Sequence, residues 1–236
     1  MNSVEAVVQK TGFFASDRLL LGRRQDERLR NLLTKAKRAG VSIEKKSYSQ
    51  LDNICGAKKH QGIALLRSEG FALREQKIEN TLAAGGLLVA LDGVVDPQNA
   101  GSIIRSMAAF NAGAVVVSRK GSAPLGATAL KASAGALADM PVVFCNLNQF
   151  LLQAKEADFL IVGADQNGSP LAEAAEGLSK QKLLLVMGSE GRGLSKQVKE
   201  KCDLLVRIVH SDKIPSLNVA NAATILLHEI FRLKKN

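Results

Sequence analysis

Six short runs of Val, Ile and Leu in the last two thirds of the chain constrain its fold most strongly. They read LLVALDGVV, AVVVS, PVVFC, FLIVGAD, KLLLVMG and DLLVRI, and helical patterns lie between most of them. Strands with such continuous apolar runs are typical of a parallel sheet that helices cover on both faces. The sequence therefore predicts an α/β fold with a parallel sheet over residues 76–236.

The first 75 residues predict a separate, smaller α/β domain. The stretch DERLRNLLTKAKRAG places four apolar side chains between Leu29 and Ala36 at helical spacing, and it ends with Gly40 as the expected C-cap. Flanking segments RLLLG, VSIEKKS and GIALLRS are typical of short strands. The polar stretch SEGFALREQKIEN lacks periodicity and predicts a linker. We therefore expect two domains, 1–75 and 76–236.

The charge distribution points to a polyanionic partner. The chain has a formal net charge of +10, and residues 1–70 hold 14 Lys and Arg against 7 Asp and Glu, a net of +7. A general solubility bias is the alternative, but this concentration favours an N-terminal module that grips nucleic acid through its phosphates. With eight Phe, one Tyr and no Trp, base stacking is disfavoured and backbone contacts fit better.

Other features exclude several classes of protein. The apolar runs are far shorter than the roughly 20 residues of a membrane-spanning helix, and the first residues lack the pattern of a signal peptide. We therefore expect a cytoplasmic protein with no membrane partner. Its three cysteines are far apart, so we expect neither a disulfide framework nor a metal site, and we predict that the thiols are buried.

Familiar catalytic templates fail in the loops after the strands, where parallel sheets bind ligands. Residues 121–128 have the glycine spacing of a P-loop, but Ala127 stands where lysine is required. The glycines at 188, 191 and 193 do not form a dinucleotide fingerprint, HEIFR lacks the second histidine of a zinc protease, and no nucleophile elbow is present. A nucleotide-dependent oxidoreductase or kinase is therefore disfavoured.

Two loop segments carry polar side chains beside expected helix starts. In LDGVVDPQNAGSIIRS, Asn99 stands at an expected N-cap, and Arg105 would reach back over Gly101 and leave room for a ligand. In SDKIPSLNVANA, Ser216 and Asn218 stand at the start of the last helix. Each of these residues could instead be only a cap or a surface cation.

The segments DPQNAGSIIR, VMGSEGRGL and SLNVANA, in this order, resemble the three motifs of the SpoU (TrmH) type RNA 2′-O-ribose methyltransferases. The resemblance runs from about residue 88 to the end. Residues 1–75 are similar to the ribosomal-protein-like RNA-binding module often fused to these enzymes, through NSVEAV, the DERLRNLLTKAKRAGV helix and HQGIAL.

The resemblance implies a C-terminal trefoil knot, a homodimer and S-adenosylmethionine as cofactor. By motif position, Gly188, Ile208 and Leu217 would contact the cofactor. The glycine loop at 188–193 would wrap it with backbone groups, because glycine allows close approach.

The resemblance also implies five catalytic positions, which are Asn99, Arg105, Glu190, Ser216 and Asn218. Arg105 would act either as a base or as a clamp for RNA phosphate, and the clamp is favoured because a guanidinium is essentially never deprotonated. Glu190 would pair with and aim that guanidinium. Asn99, Ser216 and Asn218 would position the ribose and the cofactor.

The sequence leaves two points open, which are the substrate and one departure from the family motif. Ribosomal RNA is favoured over transfer RNA because the N-terminal module resembles ribosomal-protein domains, and a non-catalytic RNA-binding or ribosome-assembly factor of the same fold is a further alternative. Many relatives have Ile-Pro-Met where this chain has Ile208, Val209 and His210. The change could alter the cofactor loop or RNA entry, or be a tolerated surface variant.

Overall fold

The computed structural model describes residues 3–14, 17–23, 26–56, 60–67, 73–118, 121–174, 182–211 and 213–235. Contacts between residues divide the chain into two compact units, Met1–Ala72 and Leu73–Asn236. Each unit has its own hydrophobic core.

The first unit is a small α/β structure, as the sequence predicts. Its elements are α1 (Ser3–Thr11), β1 (Arg18–Leu21), α2 (Glu27–Arg38), β2 (Ser42–Lys45), α3 (Tyr48–Cys55) and β3 (Ile63–Leu66). The sheet has the order β2-β1-β3, with β1 parallel to β2 and antiparallel to β3. All three predicted strands and the predicted helix are confirmed.

The local sequence of α2 explains where the helix begins and ends. The Asp26 carboxylate accepts a hydrogen bond from the backbone N–H of Leu29 at 2.9 Å, which caps the first turn. The C-cap is Ala39 rather than the predicted Gly40. Gly40 follows it with a φ of 71°, a left-handed conformation that glycine adopts without strain and that turns the chain out of the helix.

The second unit is built on a seven-stranded parallel sheet with the order β10-β8-β9-β5-β6-β7-β4. Its strands are β4 (Arg74–Glu75), β5 (Leu87–Asp92), β6 (Ala114–Ser118), β7 (Pro141–Cys145), β8 (Phe159–Pro170), β9 (Lys182–Gly188) and β10 (Leu204–Arg207). Its helices are α4 (Ile78–Ala84), α5 (Pro97–Ala109), α6 (Ala127–Ala132), α7 (Leu147–Glu156), α8 (Lys196–Lys199) and α9 (Val219–Leu233). The six predicted strands are confirmed. The trefoil knot stays a prediction, because strand order does not define how the chain is threaded.

The predicted linker is wrong in its second half. β4 pairs with β7 at one edge of the large sheet, and α4 follows it at Ile78. The backbone N–H of Gln76 donates to the carbonyl of Val142 at 2.9 Å, which fixes the segment to the sheet. A strand of two residues is too short to give a periodic pattern. Residues 68–72 of the predicted linker lie outside the described residues.

The cysteines differ from the expectation of buried thiols. Cys55 is exposed, and Cys145 and Cys202 are half-buried. Burial still raises the pKa of the Cys202 thiol, to about 11, so this thiol stays protonated near neutral pH. None of the helices that the structure describes combines the length and apolar character needed to cross a membrane.

Candidate active site

The carboxyl ends of β5 and β9 bring the first two motif segments together. These strands are neighbours in the sheet, and Asp92 at the end of β5 stands beside Gly188 at the end of β9. One carboxylate oxygen of Asp92 accepts a hydrogen bond from the backbone N–H of Ser195 at 2.7 Å. The loop after β9 is therefore tied to the strand that leads into α5.

Asn99 is not the N-cap of α5, in contrast to the prediction. The cap is Asp96, whose carboxylate accepts from the backbone N–H of Gln98 at 2.8 Å. Pro97 is the first helical residue, where its missing N–H leaves no bond unmade. Asn99 lies inside the first turn, so its amide is available for contacts beyond its own helix.

Asn218 is the N-cap of α9, and its amide has two tasks. Its Oδ1 accepts from the backbone N–H of Ala220 at 2.9 Å, which caps the helix. Its Nδ2 donates to Asn99 Oδ1 at 3.1 Å and to Glu190 Oε1 at 3.2 Å. Asn218 therefore joins the third motif segment to the other two.

A cluster of Asn99, Glu190 and Asn218 results, which we call the amide–carboxylate cluster. Asn99 Nδ2 donates to Glu190 Oε1, so one carboxylate oxygen accepts from both amides. These residues are separated by 91 and 28 positions in the chain. The structure thus brings together three of the five side chains that the sequence selects as catalytic.

The glycines of the loop after β9 let the chain fold back on itself. Ser189 and Gly193 exchange two backbone hydrogen bonds, at 3.0 and 2.9 Å, and Gly191 and Gly193 have positive φ angles. A Cβ on Gly188 would lie 2.2 Å from the backbone carbon of Gly193. The absence of a side chain at Gly188 therefore allows the returning chain to pass over it. The tight turn directs Glu190 toward Asn99 and Asn218.

A cavity of about 520 Å³ lies beside this cluster. Glu190 and Ser216 line it, as do all three of the expected cofactor contacts, Gly188, Ile208 and Leu217. Much of the remaining wall is apolar, and it comes from β9, β10 and α9 through Met187, Val206, Val219, Ala222 and Leu226. The volume is within the range of small-molecule sites.

Arg105 and Gly101 are placed differently from the prediction. The space over Gly101 is filled by α6, because a Cβ at this position would lie 2.4 Å from the carbonyl oxygen of Ala129. Gly101 thus serves close helix packing and leaves no room for a ligand. Arg105 is exposed, and within the part of the chain that the structure describes it forms no ion pair. The predicted pairing with Glu190 is absent, since that carboxylate binds the two amides instead.

Two exposed side chains, those of His210 and Arg192, lie on the cavity wall. His210 lines the cavity and is exposed, and its Nδ1 donates to the carbonyl of Ser211 at 3.0 Å. Arg192, at the tip of the glycine loop, also lines the cavity and is exposed. Both side chains can therefore meet a bound molecule and solvent.

An ion pair on the cavity wall was missed in the sequence. The pairing of β8 with β10 shifts between Leu205 and Val206, and residues 164–168 bulge out of the sheet between the two paired parts. Asp165, in this bulge, has a side chain that is only 4% exposed, and its Oδ2 lies 2.5 Å from Lys199 Nζ. Both residues line the cavity. The polar letters DQNG directly after the apolar run FLIVGA were the available signal.

The pKa of Asp165 reflects both its burial and its partners. Burial raises this pKa, whereas the Lys199 ammonium and the backbone N–H of Asn167 lower it more strongly together, so the pKa lies below its ordinary value. The carboxylate is therefore ionised near neutral pH. It therefore places a fixed negative charge on the wall of the cavity.

The fold and the cavity define an α/β protein with a ligand site at the carboxyl ends of parallel strands. Residues 86–228 match the model of the SpoU rRNA methylase family, and residues 1–69 match the model of the RNA 2′-O ribose methyltransferase substrate-binding domain. The chain therefore belongs to the SpoU family of RNA methyltransferases.

Relatives agree with this assignment. An uncharacterized tRNA/rRNA methyltransferase of Mycolicibacterium gilvum is 40% identical over 91% of this chain and 69% of its own length. One of Mycobacterium tuberculosis is 35% identical over 91% of this chain and 67% of its own length.

Among solved structures, the SpoU methyltransferase AviRb from Streptomyces viridochromogenes, in complex with the cofactor AdoMet, superposes with a TM-score of 0.75. It is 24% identical, and the match covers 99% of this chain and 88% of AviRb. An RNA 2′-O ribose methyltransferase superposes with a TM-score of 0.79 at 21% identity, over 100% of this chain and 87% of the other. These structures share the fold.

Proposed function

We propose that this chain transfers a methyl group from S-adenosylmethionine to a ribose 2′-hydroxyl of RNA. The observation that carries the proposal is that Glu190 belongs both to the amide–carboxylate cluster and to the wall of the 520 Å³ cavity. A donor in the cavity and a sugar held at the cluster would therefore lie next to each other. The substrate-binding domain matched at residues 1–69 supports RNA as the acceptor.

The cavity fits S-adenosylmethionine in its size and its donor set. The apolar wall suits a flat purine, whereas the buried Asp165 carboxylate and the Ser216 hydroxyl offer hydrogen bonds to polar groups. Gly188, Ile208 and Leu217 would hold the cofactor. When bound, S-adenosylmethionine would supply the methyl group from its sulfonium and leave as a neutral thioether, while the proton of the ribose 2′-hydroxyl would pass to water.

The polar side chains of the chain orient the acceptor. Glu190 fixes the two amides of Asn99 and Asn218, so these groups need no reorganisation when RNA binds. Orientation of reactants can contribute about 7–11 kcal/mol to a barrier. General base help is typically ~10² to 10⁴ fold. Positioning is therefore the main contribution that these residues make.

Arg105 acts as a clamp for an RNA phosphate rather than as a base. A guanidinium stays protonated in proteins, and its fork of N–H donors matches two phosphate oxygens. The side chain is exposed, and none of the described residues forms an ion pair with it. It is therefore free to meet an anion from solution.

The working unit of the enzyme is a homodimer. Val95, in the loop before α5, is 66% exposed, and Ile225 on α9 is 41% exposed, so apolar side chains near both helices can pack against a second copy.

The substrate is ribosomal RNA. The basic N-terminal unit favours a large folded RNA. The relatives named for both tRNA and rRNA keep transfer RNA as the second candidate substrate.

Replacing Arg105 with alanine tests the proposal. We expect Arg105→Ala to lower methyl transfer by at least about 100-fold, because a misplaced acceptor loses the benefit of orientation. The assay supplies methyl-labelled S-adenosylmethionine with separate pools of ribosomal and transfer RNA. Label must survive alkaline hydrolysis within a dinucleotide, since a 2′-O-methyl group blocks cleavage at its own nucleotide.

The matched control is Lys131→Ala, which removes an exposed cation from α6 outside the cavity wall. We expect it to transfer methyl groups like the wild type. An active Arg105→Ala variant would refute the role of the clamp. Wild-type label that sits on bases, or no transfer to either pool, would refute ribose methylation by this chain.

A further inference from the structure

Helix α2 of the N-terminal unit carries an unusual concentration of positive charge. Five of its twelve residues are Lys or Arg, namely Arg28, Arg30, Lys35, Lys37 and Arg38. All five are exposed, and among the residues that the structure describes none of them has an ion-pair partner. Their charge is therefore available to a partner from outside the unit.

Three acidic groups of the unit are engaged elsewhere, whereas Glu27 on α2 is exposed and has no ion-pair partner among the described residues. Asp17 pairs with Arg67, Glu44 pairs with Arg18 and Lys46, and Asp26 caps α2. Arg18, Lys46 and Arg67 are thus neutralised within the fold, in contrast to the five cations of α2.

One flank of α2 borders a groove of about 450 Å³ that it forms with α1. Arg28, Asn31 and Lys35 line it from α2, above Leu32, and Glu5 and Gln9 line it from α1. The spacing i, i+3 and i+7 places these three side chains in one stripe, about 10 Å long at 1.5 Å per residue. The positions 30 and 37 lie on the opposite flank, at 100° per residue, and do not line the groove.

Helix stability does not explain Arg28. It lies in the first turn, where the positive end of the helix dipole disfavours a cation. Lys35 lies in the last turn, where a cation is favourable, but it shares the stripe with Arg28. A pair of cations and an amide along a groove suits two phosphates of a nucleic-acid backbone.

We propose that the stripe Arg28, Asn31 and Lys35 binds the phosphate backbone of the substrate RNA. The inference rests on the proposed RNA substrate, and it names the part of the N-terminal unit that holds this substrate. Arg30 and Lys37 contribute only to the general positive field. Contacts to phosphate give affinity and salt dependence without base specificity.

Charge reversal on the two flanks of one helix tests the inference. The double variant R28E/K35E is compared with R30E/K37E, which changes the net charge of the chain equally and on the same helix. Filter binding of labelled large-subunit ribosomal RNA by the full chain is measured from 50 to 300 mM salt. We expect R28E/K35E to bind at least about tenfold more weakly than R30E/K37E. The slope of the logarithm of its affinity against the logarithm of salt concentration should be smaller in magnitude than that of R30E/K37E by about 1 to 2.

Several results would overturn the inference. Equal losses of RNA affinity in both double variants would indicate only a general positive field. An unchanged affinity of R28E/K35E, or no RNA binding by the wild type at 50 mM salt, would also contradict the stripe. If glutamates prevent folding, as judged by circular dichroism, R28Q/K35Q and R30Q/K37Q serve the same comparison.

The binding assay needs no methyl transfer, so its outcome is separate from that of the proposed reaction. Retained RNA binding by R28E/K35E with normal methyl transfer would refute the stripe and leave the reaction intact. Wild-type RNA binding that depends on the stripe, without methyl transfer, would do the opposite.

Discussion

Glu190 stabilises the candidate site because its carboxylate accepts hydrogen bonds from the amides of both Asn99 and Asn218. The resemblance to the SpoU motifs selects these three residues, since each lies in one of the three motif segments. The geometry could not be predicted, because it depends on which helix end is capped by which side chain. Asp96 takes the cap that was assigned to Asn99, and this frees the Asn99 amide for Glu190.

The ion pair of Asp165 and Lys199 gives a pH dependence of stability. The pKa of Asp165 is lowered in the folded state, so its contribution is complete above the ordinary pKa near 4 and is lost as the pH falls through the folded value. Removing the partner with Lys199→Met leaves a buried carboxylate unpaired. We expect a loss of about 1–3 kcal/mol in the free energy of unfolding at pH 7. Urea unfolding at pH 7 and pH 3 measures it.

The difference between Lys199→Met and the wild type should shrink toward pH 3, because protonation of Asp165 removes the charge that needs a partner. Lys196→Met is the control, since Lys196 is exposed on the same helix and has no partner among the described residues. It should match the wild type at both pH values. A difference between Lys199→Met and the wild type that stays constant with pH would contradict the ion pair.

At the scale of elements, α5 is held between two other helices. Gly101 allows α6 to approach the backbone of α5, and Ser106 shares a hydrogen bond of 2.7 Å with Thr224 of α9. The starts of α5 and α9 are thereby fixed side by side, which places Asn99 next to Asn218. The sequence predicts both helices, but helical spacing does not show whether a glycine packs against another helix or faces open space. The predicted room for a ligand at Gly101 was wrong for this reason.

Gly101→Ala should destabilise the protein although alanine favours helices. In an open helix this change stabilises by about 1 kcal/mol. Here the added Cβ meets the Ala132 Cβ at 2.6 Å as well as the Ala129 carbonyl, so the helices must separate. We expect a net loss of about 1–3 kcal/mol in urea unfolding.

Gly113→Ala is the matched control for this substitution. A Cβ at Gly113 meets only ordinary contacts, with Leu87 O at 3.8 Å as the nearest atom. It should leave the free energy of unfolding within about 0.5 kcal/mol of the wild type. Equal stability of the two variants would show that α5 and α6 are not in close contact at Gly101.

At the scale of the whole molecule, the sheet was largely predictable and its irregular parts were not. Continuous apolar runs mark the six longer strands, because a strand buried on both faces must be apolar throughout. Two-residue β4 has no such pattern. The bulge in β8 was missed because its polar residues resemble the end of a strand, and only the later pairing of Ser169 with Val206 shows that the strand continues.

The most direct measurement of the proposed site is calorimetric titration of S-adenosylmethionine into the wild type and an Ala222→Phe variant. Ala222 lines the cavity from α9, whereas the adjacent Asn221 is exposed and does not line it. We expect the wild type and Asn221→Phe to bind one molecule per chain, and Ala222→Phe to bind at least about tenfold more weakly because its ring fills the cavity. Equal binding by all three proteins, or no binding by the wild type, would contradict a methyl-donor site in this cavity.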